Sequence, residues 1–241
     1  LGSESYPYLG VLDQLANRAF AQGTNAWTDT TNTAYTITTA GSEGFLNILP
    51  IFLDHIFYPT LKPSGFVTEV FHINGKAEDS GVVYSEMQGI ENTSYMLMDT
   101  IKKRTLYPES SGFRSETGGL MGALRELTND SIRDYHGSRY LPYNTCVFVT
   151  GRIDAAKLLE KLENEVEPEF LQHSQTHGPQ GPAGFKRPFI ETPSAEHHGA
   201  PLLKPGEHKV ETVQFPEADE SVGEYCRSWA AGSFNDFVTR E

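Results

Sequence analysis

The sequence predicts an α+β fold in which a mixed sheet is covered by helices, and three observations predict it. Apolar residues recur at helical spacing in several stretches. Between them lie short runs rich in Thr, Val, Ile, Tyr and Trp, which suit a pleated surface. The chain has 241 residues, 38% of them hydrophobic and 21% charged, enough for a sizeable buried core.

Taken in order, Val11 to Phe20 carries a helical stripe of Val11, Leu12, Leu15, Ala16 and Phe20, which Gly23-Thr24 breaks. Asn25 to Thr28 and Thr33 to Thr39 flank the turn residues Asp29-Thr30-Thr31-Asn32, the pattern of a hairpin. Ser42 to Phe57 returns to helical spacing, with Phe45, Leu49, Phe52, Leu53, Ile56 and Phe57 on the buried side. Phe66 to Ile73 reads as a strand ending at the turn Asn74-Gly75. From Ser80 to about Leu106 the spacing is helical again. Thr128-Asn129-Asp130 supplies start residues for a helix over Ile132 to Leu141. Thr145 to Thr150 reads as a strand, and Asp154 as the cap of a helix over Ala155 to Val166.

Composition then shifts. Seven of the 14 prolines fall between Pro168 and Pro205, interleaved with Gly, Gln, Ser and His. We read residues 1–167 as one domain, 168–208 as a linker, and 209–241 as the start of a second domain, with strand-like alternation in His208 to Phe215 and Val222 to Trp229. Leu1-Gly2-Ser3-Glu4 and Thr239-Arg240-Glu241 read as internal positions, so the sequence is expected to be a piece of a longer polypeptide, truncated at both ends.

A formal net charge of −13 disfavours nucleic acid as a partner and mildly favours basic ligands. The most apolar stretch, Phe45 to Leu53, is too short to span a bilayer, so no membrane partner is expected. Cys146 and Cys226 are too few for a disulfide framework, and a cytoplasmic, reducing setting is the simpler expectation.

Chemistry concentrates in Glu78-Asp79-Ser80-Gly81-Val82-Val83-Tyr84-Ser85-Glu86-Met87-Gln88-Gly89. On a helix Asp79, Val82, Val83 and Glu86 would share one face, pointing two acids toward packed protein. Buried carboxylates demand a partner or a metal. From the spacing alone, a half-exposed helix with solvated acids is the favoured reading. His173-x3-His177 has metal-compatible spacing, but Gly178-Pro179 nearby suggests a solvated loop.

Gly81 to Gly89 resembles the Gly-Val-Val-(Tyr/Phe)-x-Glu-Met segment of insulinase- and pitrilysin-type zinc metallopeptidases, in their presequence-protease branch. The likeness extends to Leu1-Gly2-Ser3-Glu4-Ser5-Tyr6-Pro7, to Gly23-Thr24-Asn25-Ala26-Trp27-Thr28, to Tyr58-Pro59 and to Tyr135 to Asn144. It implies that Glu86 is the third protein ligand of one catalytic zinc ion and that Asp79 supports a ligating His. It also implies that Asn25, Ala26, Trp27 and Thr28 form an edge strand to which a peptide adds.

The departure from that family is the H-x-x-E-H signature, in which two His bind zinc and the Glu is general base. None of the eight histidines has that neighbourhood. The resemblance therefore implies a fragment that begins just after the signature: it lacks catalytic residues of its own, holds no zinc alone and is inactive. Its parent would be a zinc metalloendopeptidase that degrades unfolded peptides, with the C-terminal half of the same polypeptide as a partner. A mitochondrial setting is the alternative location. The competing readings are a non-catalytic homologue of the same fold and a peptide-binding module that uses only the edge strand.

Overall fold

The computed structural model describes residues 2–177, 203, 206–217, 219 and 221–229. The chain divides into two compact units: residues 1–28, 32–70 and 126–190 form the first, and residues 29–31, 71–125 and 191–241 the second. Among the described residues the architecture is helix-rich with two small antiparallel sheets, which places it in the α+β class.

In the first unit, helix α1 (Val11–Arg18) leads into strands β1 (Ala21–Thr28) and β2 (Thr33–Thr39). Their register runs without a break from Thr28↔Thr33 to Thr24↔Ile37 and shifts between Ala21 and Thr24. Gly23 stands in that irregularity at φ 101°, a conformation that favours glycine. Phe20 lies outside α1 at φ 54° and 75% exposed, so it does not belong to the expected buried stripe.

Helix α2 (Ser42–Phe57) is the spine of this unit. Leu49, Leu53, Phe57 and Tyr58 form one buried cluster with Val166, and Phe45, Ile56, Leu158, Leu162 and Phe170 pack around it. The partners come from α8 (Ala155–Lys161), a wider π-type turn over Leu162–Val166, and α9 (Glu167–His177). Asp154 caps α8 by accepting from the Ala156 and Lys157 N–H groups. The helix thus runs into the stretch expected to be a connection, because Phe170 has an apolar cluster to join. Helix α7 (Asn129–Arg139) is capped by Thr128, as its start residues predict.

The region expected as a strand from Phe66 to Ile73 is helix α3 (Pro63–Glu69) followed by the two-residue strand β3 (His72–Ile73). Pro63 at the first helical position presets the helical φ, and the Phe66 N–H donates to the Lys62 carbonyl. In the second unit β3 pairs with β4 (Asp79–Ser80) around a turn in which Asn74 Oδ1 accepts from the Lys76 and Glu78 N–H groups. Helices α4 (Val82–Ile90), α5 (Ser94–Leu106) and α6 (Met121–Glu126) follow.

The expected mixed sheet is not seen: both sheets among the described residues are two-stranded and antiparallel. Residues 145–150, 208–215 and 222–229 join no ladder among the described residues, although their composition suits strands. Propensity makes a segment ready to pair, and a ladder still requires a neighbour. No helix among the described residues is long and apolar enough to cross a membrane.

Candidate functional site

The acidic segment turns differently from its sequence pattern. Asp79 belongs to β4 and Gly81, at φ 133°, separates it from α4, so Asp79 and Glu86 share no helix face. The inward side of α4 belongs to Tyr84, fully buried, and Met87, 4% exposed. Larger apolar groups three residues apart win that face. Val82 is 59% exposed and Glu86 is exposed as well. The expectation that Glu86 points into packed protein is therefore corrected. Met87 packs where Gly118 leaves room: a Cβ there would come 2.5 Å from the Met87 sulfur.

Asp79 is the centre of a cluster the sequence did not announce. Its Oδ2 accepts from Tyr84 Oη at 2.8 Å and from Arg125 Nε and Nη2 at 3.0 and 2.7 Å. Arg125 Nη2 also donates to Tyr84 Oη. The Arg125 guanidinium, then the Tyr84 hydroxyl, hold the Asp79 carboxyl below the usual range. Arg125 stands 46 residues from Asp79 on α6, beyond any local spacing signal. Tyr84 lies in the same segment as Asp79, but nothing in its spacing marked it as that residue's partner. Glu91 extends the same ties, accepting the first N–H of α6 at 2.6 Å from Met121.

The Glu86 side chain makes no hydrogen bond or ion pair among the described residues, and it is exposed. Among the described residues no three His, Cys, Asp or Glu side chains stand close enough to hold a metal. Glu86 is thus a lone carboxylate with no second candidate ligand beside it among the described residues, whereas a catalytic zinc takes three protein ligands. His173 rests on the Tyr58 ring at 4.3 Å between centroids, in a helix and not in the loop expected there. His197 and His198 lie outside the described residues.

The hairpin in the first unit presents a different feature. Tyr35 of β2 bonds the Tyr140 hydroxyl at 2.7 Å, and Tyr140 stacks on His136, whose Nε2 donates to the Ile56 carbonyl at 2.8 Å. Burial, and then the bond to Tyr140, pushes the Tyr35 hydroxyl well above its ordinary value, while burial pulls the His136 imidazole down. This chain of contacts ties β2 to α2, while β1 packs on α1 and has no strand on its other side among the described residues. Asn25, Ala26, Trp27 and Thr28 are all exposed, Trp27 by 51%, so Trp27 is not a core residue.

The Thr28 and Thr33 hydroxyls lie 3.5 Å apart, the close side-chain approach of a non-hydrogen-bonded pair. With unbroken register, Ala26↔Tyr35 two residues on is the same kind of pair, and the Ala26 backbone N–H and C=O point away from β2. That N–H is taken by Asn25 Oδ1 at 2.9 Å. An edge strand thus shows its backbone outward, with one side-chain amide laid over one donor.

No protein-family model matches the chain. It is 42% identical over 243 residues to an uncharacterized protein of Saccharomyces cerevisiae, covering 98% of this chain and 22% of that protein. It is 41% identical over 240 residues to an uncharacterized protein of Caenorhabditis elegans, covering 99% and 22%. The mitochondrial presequence protease of Danio rerio is 28% identical over 177 residues, 70% of this chain and 17% of that enzyme.

The chain is thus distantly homologous to presequence proteases over much of its length, which supports an insulinase-like peptidase relationship. It spans about a fifth of the length of the curated relatives it matches. The presequence proteases it resembles are mitochondrial by name, and nothing in the comparisons supports the cytoplasmic expectation.

Proposed function

We propose that this chain is part of a zinc-dependent endopeptidase that cleaves unfolded peptides, in which Glu86 supplies one metal ligand and β1 receives the peptide as an added strand. The observation that carries the reading is the homology to presequence proteases, joined to an exposed and unbonded Glu86 in the segment that resembles the family's ligand segment. A carboxylate already committed to a lysine or arginine would have to give up that partner before binding a cation; Glu86 has none to give up.

A zinc ion held there would supply Lewis acidity toward a water and toward the peptide carbonyl. What the chain's own residues do is position. The Asp79–Arg125–Tyr84 clamp fixes the start of α4, and Met87 against Gly118 fixes its inward side, which sets where the Glu86 carboxylate stands. Asp79, expected as the partner of a ligating His, is engaged by Arg125 through Oδ2, so its role in this reading is to hold α4. The outward backbone of Ala26 offers one donor and one acceptor to an antiparallel peptide, once the Asn25 amide moves off. Histidine ligands, the general base and the C-terminal half would come from other parts of a longer polypeptide, and a mitochondrial setting follows the named relatives.

The test is cleavage of an unstructured peptide by a polypeptide of the relatives' length that contains this chain. The reading expects activity lost to a chelator, restored by zinc, and strongly reduced by Ala26→Pro, which removes the outward N–H. Chelator-insensitive cleavage, or none by a folded protein loaded with zinc, would contradict it.

A further inference from the structure

Asp54 sits on α2 at 3% exposure, inside the first unit. Its Oδ1 accepts from Ser5 Oγ at 3.2 Å, but its buried Oδ2 has no hydrogen-bond donor among the described residues. The adjacent His55 cannot supply one. Its Nδ1 lies 2.7 Å from the Ile51 carbonyl oxygen, so the Nδ1 proton is committed there, and 3.9 Å separates Nδ1 from Asp54 Oδ2. His55 Nε2 is buried and equally without a partner. The Tyr6 ring stacks on the imidazole at 5.6 Å and completes the enclosure.

Glu169 is half-buried on α9, where the neighbouring Phe170 packs on Phe57 of α2 at 4.8 Å, and it is close enough for its carboxyl to act on Asp54 and Ser5. Two ionised carboxylates in that position repel each other and offer only acceptors. One proton between them supplies the donor that Asp54 Oδ2 lacks. We propose that Asp54 and Glu169 share a proton, and that this shared proton is a pH-sensitive latch holding α9 on α2: fastened while the pair keeps the proton, loosened once it is lost.

The surroundings agree. Burial first, and then the bond to Asp54 and its charge, push the Glu169 carboxyl up to about 7, against a lowering bond from Ser5. Among the described residues no lysine or arginine acts on it. Tyr6 is held above its ordinary value by burial and then by the charges of Asp54 and Glu169, so a third group feels the same negative pair. The groups facing the pair are Ser5 and Tyr6 from the N-terminal segment and Asp54 and His55 from α2; His173, one turn further along α9, lies against Tyr58. A carboxyl raised in the folded state binds its proton more tightly there than in the opened state. The latch is therefore strongest at and below the ordinary Glu range, weakens as pH rises from there to about 7, and is flat above.

The test is amide hydrogen exchange of this chain across α8 and α9, corrected for intrinsic exchange, between pH 5 and 9. The wild-type protection factors should fall by up to about tenfold per pH unit below pH 7 and then level off. Glu169→Gln, whose amide can donate to Asp54 at every pH, should remove that slope. A wild type without the slope, or a Glu169→Gln chain that keeps it, overturns the proposal. If Glu169→Gln fails to fold, a carbon-13 NMR titration of the wild-type Glu169 carboxyl decides. A midpoint well above the ordinary Glu range supports the latch, and an ordinary midpoint overturns it.

Discussion

Helices α2 and α4 each set a carboxylate beside large apolar side chains, and they treat it in opposite ways. On α2, Asp54 is enclosed between Ser5, His55 and α9, with one oxygen lacking a donor. On α4, Tyr84 and Met87 occupy the inward side and Glu86 is left in solvent with no partner. The difference teaches which acid is available. A buried carboxylate must be compensated by its own surroundings, and exchanging that compensation for a ligand is costly. An exposed, uncommitted one can meet a cation or a partner at little cost to the fold.

The comparison breaks first if α2 is not the spine of its unit. Leu53→Ala, in the buried cluster with Val166, should destabilise the first unit by roughly 2–5 kcal/mol in urea unfolding. Gly44→Ala should follow at about 1–3 kcal/mol, because a Cβ would stand 2.5 Å from the backbone oxygen of Ala19 and backbone cannot rotate away. Asp154→Ala should remove the cap of α8 and cost about 1 kcal/mol, read in the same denaturant curves.

The α4 side sharpens through acid titration. The Asp79 carboxyl is lowered in the folded state, chiefly by the bonds from Arg125 and then by that from Tyr84. Its contribution is therefore present above the ordinary Asp value and lost as pH falls through and below about 4. Asp79→Asn should flatten that acid-side loss in the second unit, whereas Glu86→Gln should leave it as in wild type. Equal effects from the two would erase the contrast between a clamped acid and a free one.

Much of α2 was legible because its apolar stripe repeats over 16 residues, long enough for periodicity to fix one face. The hairpin was legible from its turn residues, and α7 and α8 from Thr128 and Asp154. At α4 the same reasoning failed on nine residues. A two-residue strand and a left-handed glycine before Val82 reset the phase of the stripe, and nothing in the spacing of Val82, Val83 and Glu86 revealed it. Arg125 was illegible because its partner is distant in sequence. Residues 145–150 were misread as a strand because composition reports readiness to pair and is silent about the neighbour. The edge at Asn25 to Thr28 was readable only through family resemblance; its outward Ala26 N–H required the register.

The most direct measurement of the proposed activity is bound zinc per polypeptide, by elemental analysis, in a protein of the relatives' length that contains this chain, compared with its Glu86→Gln variant. The account predicts about one zinc in the wild type and a large loss in the variant, with the urea midpoint of the first unit unchanged. Full zinc retention by Glu86→Gln would contradict it.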